Sequence, residues 1–386
     1  MRVLISGAGI AGPALAGCLA DAGAETTVVE VAPRLRTSGF AVDFRGPTHL
    51  RVLERLGVLD DIKAVQTHGG AMRTVDAAGK TIFELPAEFA GGDVEIRRRD
   101  LTAVLHRRSA DRTRYVFGDS IVALHDGRAG VEVQFRSGNS GTYDAVVGAD
   151  GIHSTVRRLA MGPEERFVKH LGYHIAGWDV PNDLGALTVA QQYNVPGRMA
   201  SVAADDRDPT RAGALVVWAS KPLGIGWQDL DAQKRAVHAT FDGLGWHVPR
   251  LLSGLADAPD LYFDAISRVS VPTLHKGRIA LLGDAAWGVT LGGMGVGTGV
   301  VGAYVLAGEL ARAGGDVTAA FAAYEKRMRS YAGRWQKGAS PGHFLAPASR
   351  TGLWLRNTMF RRAAVRRLLV SSSTALASAS DLPDYP

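Results

Sequence analysis

The start of the chain combines continuous apolar runs with one glycine-rich turn. The run RVLIS at 2–6 has no polar alternation, which predicts a strand buried on both faces. The turn GAGIAG follows at 7–12, then a small-residue helix at 13–22 and a second strand at 25–31. A strand, a glycine turn, a helix and a second strand in immediate succession predict a βαβ unit.

Helical and strand-like periodicities alternate over the following residues. Leucines spaced three apart mark the apolar side of a helix predicted over 48–59. Further predicted elements are a hairpin at 69–85, a helix at 99–109, and strands at 120–124, 130–135 and 143–147. The last strand leads into the turn GADG at 148–151.

The pattern changes between about residues 163 and 265, where Gly, Asp and Pro separate short strand candidates. We expect an inserted antiparallel sheet here. The run RIALLG at 278–283 again has the continuous apolar pattern of a strand in a buried parallel sheet. Helices are predicted at 298–312 and 317–336. The chain therefore combines a parallel α/β part with an antiparallel insertion.

Composition excludes several classes of protein. Of 386 residues, 46% are hydrophobic and 21% charged, so a sizeable core forms and wholesale disorder or a collagen-like chain is excluded. The net charge of +6 comes from scattered basic residues without a nucleic-acid-binding motif, which indicates a solvated surface or phosphate-bearing ligands rather than nucleic acid. The single cysteine, Cys18, cannot form an intrachain disulfide, which fits a cytoplasmic protein.

Two segments raise the question of a membrane. Residues 285–308 carry no charge, but they are glycine-rich and bracketed by Asp284 and Glu309, so we expect no membrane span. The arginine-rich segment 353–369 predicts a packed helix with solvated arginines, and a membrane-surface helix stays open as the alternative. The amino end shows no signal-peptide pattern.

The turn GAGIAG has the spacing of a dinucleotide-binding loop. Gly7 permits the tight turn, Gly9 lets a pyrophosphate approach the backbone, and Gly12 lets helix and strand pack closely. The phosphates would lie at the helix N-terminus near Ala11, where amides are free. Glu30 ends the second strand, where a carboxylate can accept hydrogen bonds from a ribose. The alternative is a glycine turn that merely packs.

Two further motifs place an aspartate after a buried strand. They are GADGIHSTVR at 148–157, with Asp150, and GDAA at 283–286, with Asp284. Open parallel sheets bind ligands at the carboxyl ends of their strands. Either aspartate alone could be a helix cap, but the ordered set of three motifs is more specific.

With these motifs in this order, residues 1–335 resemble the class A FAD-dependent aromatic hydroxylases of the para-hydroxybenzoate hydroxylase type. Two segments, SGFAVDFRG at 38–46 and EIRRRDL at 95–101, are especially similar to those of tetracycline-degrading monooxygenases. The resemblance implies an α/β fold with a glutathione-reductase-like FAD-binding Rossmann domain, an inserted antiparallel-sheet substrate domain and a C-terminal helix. The implied ranges are 1–67, 97–162 and 266–335 for the FAD-binding domain, 68–96 and 163–265 for the substrate domain, and 336–386 for the C-terminal helix and tail.

The resemblance also implies a set of cofactor-binding residues. Glu30 would bind the adenosine ribose, Asp284 the ribityl or pyrophosphate region, and Asp150 would serve both FAD and NADPH. The turn from Gly292 to Gly297 would present amides to the flavin pyrimidine edge. The whole set is Gly7, Gly9, Ala11, Gly12, Glu30, Arg36 at the nicotinamide nucleotide, Asp43, Arg45, Arg98, Asp150, Asp284, Gly293, Gly295 and Val296.

The implied activity is that of an FAD-dependent monooxygenase in natural-product metabolism, such as antibiotic biosynthesis. NAD(P)H would reduce FAD, and O2 would give a flavin C4a-hydroperoxide that hydroxylates an aromatic or polycyclic, polyketide-like molecule. The alternatives are another flavin oxidation (epoxidation, Baeyer–Villiger insertion or dehydrogenation) and a flavin-binding protein without turnover. We name no catalytic acid or base, and we expect a monomer or a weak homodimer.

The sequence departs from the family after GDAA. Trp287 stands where His or Tyr is common, and Val289 and Leu291 occupy a stretch that commonly holds Pro. Without that Pro we expect a freer loop. The histidines lack metal-ligand spacing, so we expect no metal. Four tryptophans are candidates for an aromatic substrate pocket, with core packing as the alternative: Trp178, Trp218, Trp227 and Trp287.

Overall fold

The computed structural model describes residues 1–35, 40–67, 70–87, 92–184, 189–226, 228–259, 261–291, 295–336, 340–367 and 382–385. The strands in these ranges are β1 (Arg2–Ser6), β2 (Glu25–Glu30), β3 (Ala41–Phe44), β4 (Met72–Val75), β5 (Thr81–Leu85), β6 (Val94–Arg97), β7 (Thr113–Phe117), β8 (Ile121–Gly127), β9 (Gly130–Phe135), β10 (Ser140–Tyr143), β11 (Ala145–Gly148), β12 (Val168–Pro181), β13 (Ala190–Val195), β14 (Arg198–Ala204), β15 (Arg211–Ala219), β16 (Tyr262–Val269), β17 (His275–Lys276) and β18 (Ile279–Leu281).

The α-helices are α1 (Ala11–Asp21), α2 (Gly46–Arg55), α3 (Leu59–Ala64), α4 (Arg98–Ser109), α5 (Thr155–Met161), α6 (Leu230–Phe241), α7 (Val248–Asp257), α8 (Asp284–Trp287), α9 (Gly295–Arg312), α10 (Val317–Gln336), α11 (Pro341–Leu345) and α12 (Arg350–Phe360). The helix predicted over 48–59 is two helices, because Gly57 has a φ of +67° and ends the helical backbone after α2.

A six-stranded sheet forms the first layer, in the order β17-β18-β11-β1-β2-β7. All its pairs are parallel except β17–β18. Val3, Leu4 and Ile5 are fully buried, as the uninterrupted apolar run of β1 predicts. Because β1 lies between β2 and β11, the carboxyl ends of these strands bring GAGIAG, Glu30 and GADG to one edge of the sheet.

A seven-stranded sheet forms the second body, in the order β16-β12-β15-β14-β13-β4-β5. Its pairs are antiparallel except β13–β4. The early hairpin β4–β5 thus joins strands contributed by the later insertion. Residues directly opposite each other in such a ladder share a face of the sheet.

One face of this sheet, here called the outer face, is covered by α6 and α7. Its apolar side chains pack with those of the two helices in one buried cluster: Ala176, Trp178, Val202, Ala214, Val216, Trp218, Val237, Phe241, Leu251 and Leu255. Alternation along the strands places the intervening residues on the other side, here called the inner face. Two rows cross the inner face: Tyr262, Gly177, Leu215, Ser201 and Gln192, and Asp264, Ile175, Val217, Met199 and Asn194.

The inner face is turned toward the first sheet and its loops. Phe40, which precedes β3, lies so close to Gly177 that a Cβ there would be 2.2 Å from the Phe40 ring. The Asp264 carboxylate lies 3.4 Å from the His153 ring, in the loop after GADG. The short ladder β3–β6 in turn joins the 41–44 and 94–97 segments.

The described residues of the uncharged segment, 285–291 and 295–308, belong largely to the core. They form part of α8, the residues directly after it and most of α9, and α9 packs against both α1 and α10. Val300, Val301 and Val305 are buried there. Within the described ranges, no helix combines the length and apolar character that crossing a bilayer requires.

Candidate functional site

The glycine loop after β1 is shaped by contacts between backbones. Gly7 has a φ of +107°, and a Cβ there would lie 2.5 Å from the carbonyl oxygen of Ala149. A Cβ at Gly12 would lie 1.9 Å from the carbonyl oxygen of Gly7, whereas one at Gly9 meets nothing within 4 Å. The first and third glycines are therefore required by the packing of the chain, and the second faces open space.

The helix that follows the loop begins without a side-chain cap. Ile10 occupies the cap position, no side chain accepts a bond there, and the first turn of α1 contains no acidic residue. The first amides of a helix have no intrahelical partner, and the helix dipole favours an anion beside them. This end of α1, where Ala11 lies, is therefore suited to a phosphate group.

Glu30 fixes the glycine loop to the end of β2. It is buried, and its carboxylate accepts bonds from the backbone N–H groups of Ala8 at 2.8 Å and Ala32 at 2.9 Å. A carboxylate has about four acceptor positions, so capacity remains for a ligand hydroxyl. Contact of Glu30 with a ribose stays a prediction.

Asp150 organises the start of α5. It accepts bonds from the Ser154 hydroxyl and from the backbone N–H of Val156 at 3.1 Å, and the Ser6 hydroxyl lies 3.4 Å away. Ser154 caps the helix by accepting from the backbone N–H of Arg157. Burial is the largest influence on the pKa of Asp150 and raises it, although these hydrogen bonds oppose the rise. The observed role of Asp150 is thus to hold the cap residue Ser154 and one amide of the first turn of α5, and a part in NADPH handling stays a prediction.

A buried arginine ties the second motif to the third. The Arg157 side chain is fully buried and donates to the carbonyl oxygens of Ala285 at 2.9 Å and Ile152 at 2.5 Å. Arg157 was not among the site residues predicted from the sequence, and most arginine side chains are solvated rather than buried. The only signal was its place within the motif.

Asp284, the first residue of α8, has a carboxylate without a hydrogen-bond donor among the described residues. Burial is the largest influence on its pKa and raises it, Arg98 lowers it by its positive charge, and Asp264 raises it further. Its Oδ1 lies 3.3 Å from the point where a Cβ on Gly295 would sit. Asp284, Arg98 and the start of α9 at Gly295 and Val296 therefore lie around one site.

The remaining predicted cofactor residues divide into two groups. Asp43 and Arg45 form an ion pair with each other, and the β3–β6 ladder brings their segment beside the one that leads into Arg98. Arg36, Trp227 and Gly293 lie outside the described residues. Their roles stay predictions.

His49 was not predicted from the sequence, yet it supports the start of α9. It is buried, its Nδ1 accepts from the backbone N–H of Arg45 at 3.1 Å, and its Nε2 has no hydrogen-bond partner among the residues that the structure describes. A Cβ on Gly297 would lie 2.3 Å from the imidazole. Burial lowers the pKa of His49 to about 4, so the ring is neutral near pH 7.

Trp178 and Trp218 do not line a pocket on the inner face, and this part of the prediction is wrong. Both indoles lie on the outer face among side chains of α6 and α7, and the Trp178 Nε1 donates to the carbonyl of Leu251 at 3.1 Å. Strand alternation decides which residues share a face, but it does not say which face receives a ligand.

Trp287 also turns into the core. It is 5% exposed and packs against Gly302 of α9 and Tyr324 of α10. Leu291 has a φ of +56°, a conformation closed to proline. At this position the backbone therefore adopts a shape that a Pro cannot take. The expectation that the missing Pro leaves a freer loop stays a prediction.

The loop after α8 is also bonded to the second sheet. The backbone of Thr290 donates to the carbonyl of Ser267 at 3.0 Å, and that of Val269 donates to the carbonyl of Gly288 at 2.8 Å. The two bodies therefore meet at the segment that carries Asp284.

Together these features fit a dinucleotide cofactor. The open space at Gly9 and the uncapped start of α1 suit its phosphates, and the unpartnered carboxylate of Asp284 suits its hydroxyl groups. The described residues contain no group of three or more His, Cys, Asp or Glu side chains placed to hold a metal ion.

Comparison with known proteins identifies the family. Residues 1–218 match the family model for an FAD binding domain. A flavin-dependent monooxygenase of Legionella longbeachae is 35% identical over 343 residues, which are 87% of this chain and 87% of the relative.

Two crystal structures are similar over nearly their whole lengths. Tetracycline destructase Tet(51) has a TM-score of 0.83 and 29% identity, over 100% of this chain and 99% of its own. Tetracycline destructase Tet(55) has a TM-score of 0.81 and 32% identity, over 99% and 98%. The chain therefore belongs to the FAD-dependent monooxygenases, a family of oxidoreductases, and its cofactor is FAD.

Proposed function

We propose that this protein hydroxylates a flat, polycyclic phenolic molecule bound between the FAD site and the inner face of the seven-stranded sheet, with NAD(P)H as electron donor. The likeness to tetracycline destructases over the whole chain supports a polycyclic substrate. FAD supplies the redox chemistry when it is bound, and the residues of this chain bind, orient and shield the reactants.

The main support for this proposal is an aromatic surface on the inner face of the seven-stranded sheet. Phe40 and Tyr262 meet edge to face, with ring centroids 5.1 Å apart and an interplanar angle of 78°. They lie beside Gly177, where the missing side chain lets Phe40 approach the sheet. Aromatic side chains bind flat rings through stacked and edge-to-face contacts.

Polar groups on the same face suit an oxygenated ring system. Gln192 is buried, and its amide nitrogen donates to the Thr74 hydroxyl at 2.8 Å, but its Oε1 has no hydrogen-bond donor in the described part of the chain. A buried acceptor without a donor is costly, and a hydroxyl of a bound phenol can satisfy it. Ser201 lies directly opposite Gln192 on the neighbouring strand.

The residues around FAD have separate tasks in this proposal. Gly9 and the start of α1 would receive the pyrophosphate, Glu30 a ribose, and Asp284 with Arg98 the region nearer the flavin. Arg157 is a positioning residue in this proposal. Its hydrogen bonds hold the loop after GADG against the backbone of α8. None of the described side chains at this site is assigned as a general acid or base.

Substrate-stimulated oxidation of NADPH by the FAD-loaded protein tests the proposal. Hydroxylated anthraquinones and tetracycline-type compounds should raise NADPH consumption and O2 uptake, and 18O2 should place one labelled oxygen in the product. No stimulation by any polycyclic phenol would overturn the substrate class, and a product without label would overturn oxygen insertion.

The variant Gln192→Met tests the proposed hydrogen bond between Gln192 and the substrate. We expect KM for the phenolic substrate to rise about tenfold while the FAD dissociation constant stays unchanged, since one hydrogen bond to substrate is lost. Gln191→Met is the matched control, because Gln191 lies opposite Val202 on the outer face. Equal KM values for both variants would contradict a role of Gln192 in substrate binding.

A further inference from the structure

The basic residues of this chain are concentrated near its carboxyl end. Residues 326–380 contain 11 Lys and Arg and no Asp or Glu, which leaves 33 basic and 38 acidic residues in the rest of the chain. The overall net charge of +6 therefore combines a strongly positive segment with a negative remainder. Such an asymmetry is typical of an interaction surface for an anionic partner.

Helix α12, within this segment, exposes large apolar side chains. Trp354 is 66% exposed, Leu355 51% and Met359 45%. The opposite side of the helix is buried at Arg356 and Phe360. At 100° per residue, Met359 lies about 40° from Leu355 and Trp354 lies about 100° from Leu355 on its other side, so the three exposed side chains span an arc of about 140°.

Unpaired arginines surround these side chains. Four arginines within or beside α12 are exposed and have no ion pair within the described ranges: Arg350, Arg361, Arg362 and Arg367. By contrast, Arg327 and Arg329 in α10 pair with Glu309 and Glu325. The arginines around α12 are thus available to a partner outside the chain.

The helix is held firmly from beneath. Arg356 donates to the carbonyl oxygens of Phe344 and Leu345 at 3.1 Å and to Oδ1 of Asn194 at 3.0 Å. Phe360 stacks on Phe83 of β5, with centroids 5.6 Å apart. The outward side of α12 is therefore displayed on a fixed base.

We propose that the outward side of α12, with the turn after it, docks this enzyme on the surface of an anionic lipid bilayer. Trp354, Leu355 and Met359 enter the boundary between headgroups and acyl chains, and the arginines contact lipid phosphates. A second copy of the chain fits this surface poorly, because a symmetric contact would bring two identical sets of arginines together. The docking is peripheral and independent of the substrate proposed above.

Docking would place the seven-stranded sheet, which bears the proposed substrate site, close to the bilayer. Arg356 bonds directly to Asn194, which lies on the inner face. Apolar polycyclic molecules partition into bilayers, so an enzyme held there meets them at a raised local concentration. This consequence rests on the proposed function, whereas the docking does not.

Flotation of the FAD-loaded protein with lipid vesicles tests the docking. We expect binding to vesicles of 70% phosphatidylcholine and 30% phosphatidylglycerol, little binding to pure phosphatidylcholine, and release by 0.5 M salt. Arg361→Gln with Arg362→Gln should lower the partition coefficient about thirtyfold, at about tenfold per 1.4 kcal/mol and about 1 kcal/mol per arginine. Leu355→Ser with Met359→Ser should also lower it.

Matched controls remove the same groups elsewhere. Arg128→Gln with Arg235→Gln removes two exposed arginines outside this segment, and Val122→Ser with Leu223→Ser removes two exposed apolar side chains. Both controls should bind within about twofold of the unmodified protein, and flavin absorbance checks that each variant is folded.

Three results would overturn the proposal. One is unmodified protein that stays unbound with anionic vesicles at low salt. Another is an equal loss of binding in the control arginine variant, which would show an effect of net charge alone. The third is an unmodified protein that does not bind vesicles but forms a dimer in light scattering, which Leu355→Ser with Met359→Ser dissociates. That result would show that a second copy of the chain covers this side of α12.

Discussion

The two ends of the cofactor site differ in how many of their buried polar groups find hydrogen-bond partners within the chain. At the glycine loop, the carboxylate of Glu30 accepts two backbone amides, and Gly12 packs against the carbonyl of Gly7. Around α8 and the start of α9, the carboxylate of Asp284 has no donor within the described residues, and Nε2 of His49 has no partner.

This difference distinguishes groups that stabilise the FAD-free protein from groups that contribute to stability only when FAD is bound. Groups paired within the chain contribute to folding whether or not FAD is present. Groups left unpaired cost free energy in the free protein and regain it when a ligand supplies partners. Variants at the first end should therefore change the unfolding of the FAD-free protein, and variants at the second end should change FAD binding.

Two glycines of one loop give the sharpest test of this division. Gly12→Ala places a methyl group 1.9 Å from a backbone oxygen, so the FAD-free protein should lose about 3 kcal/mol of unfolding free energy. Gly9→Ala meets open space and should change it by less than about 0.5 kcal/mol, yet raise the FAD dissociation constant about tenfold or more. Urea unfolding and flavin titration measure the two quantities, and similar unfolding free energies for both variants would contradict the division.

The two carboxylates give the next largest effect. Glu30→Ala leaves two backbone amides unpaired and should cost the FAD-free protein about 1–3 kcal/mol. Asp284→Ala should leave that stability unchanged or higher, but it should lose more FAD than Glu30→Ala does. Unfolding curves with and without FAD measure this, and near-complete flavin occupancy in both variants would show that neither carboxylate holds the cofactor.

The same division explains what the sequence could predict. The glycine loop and Glu30 follow from sterics and bonds over a few residues, so their spacing alone predicts the βαβ turn. The role of Arg157 depends on Ala285, which is far along the chain. His49 likewise acquires its place only when α9 packs against it.

Aromatic residues show a second limit. The alternation in β12 and β15 places Trp178 and Trp218 on one face, but only the packing of α6 and α7 shows that this face is the outer one. Trp287 similarly follows GDAA in sequence and yet points into the core beside Tyr324. Burial of a large apolar ring is the more common outcome, and a single sequence does not show where the ligand lies.

The loop after α8 gives a smaller test at the second end. Leu291 has a φ of +56°, which costs a side-chain-bearing residue about 1–2 kcal/mol. Leu291→Gly should therefore raise the unfolding free energy by about 0.5 kcal/mol, after the greater entropy that glycine gives the unfolded chain is subtracted. Leu291→Pro should lower it by about 1–2 kcal/mol, because proline cannot adopt this φ. Thermal unfolding measures both, and a stable Leu291→Pro protein would contradict the left-handed backbone at this position.

The smallest expected effect concerns the contact between the two bodies at His153. Its ring lies 2.9 Å from Oε1 of Glu164 and 3.4 Å from Oδ1 of Asp264. Hydrogen bonds to Asp264 and Glu164 raise the pKa of His153 to about 10 from its usual 6.5. The contribution to stability is therefore complete below pH 6.5 and disappears as the pH rises toward 10.

His153→Ala should lower the unfolding free energy by less than about 1 kcal/mol at pH 6, because the side chain is 58% exposed and solvent screens it. The difference from the unmodified protein should shrink steadily at pH 8 and pH 10, as the ring loses its charge. Working above pH 6 keeps Glu164 ionised, since His153 lowers the pKa of that carboxyl. His125→Ala is the control, because His125 is exposed and has no ion pair in the described part of the chain. A difference that stays constant or grows with pH would show that His153 joins the two bodies through packing rather than through its charge.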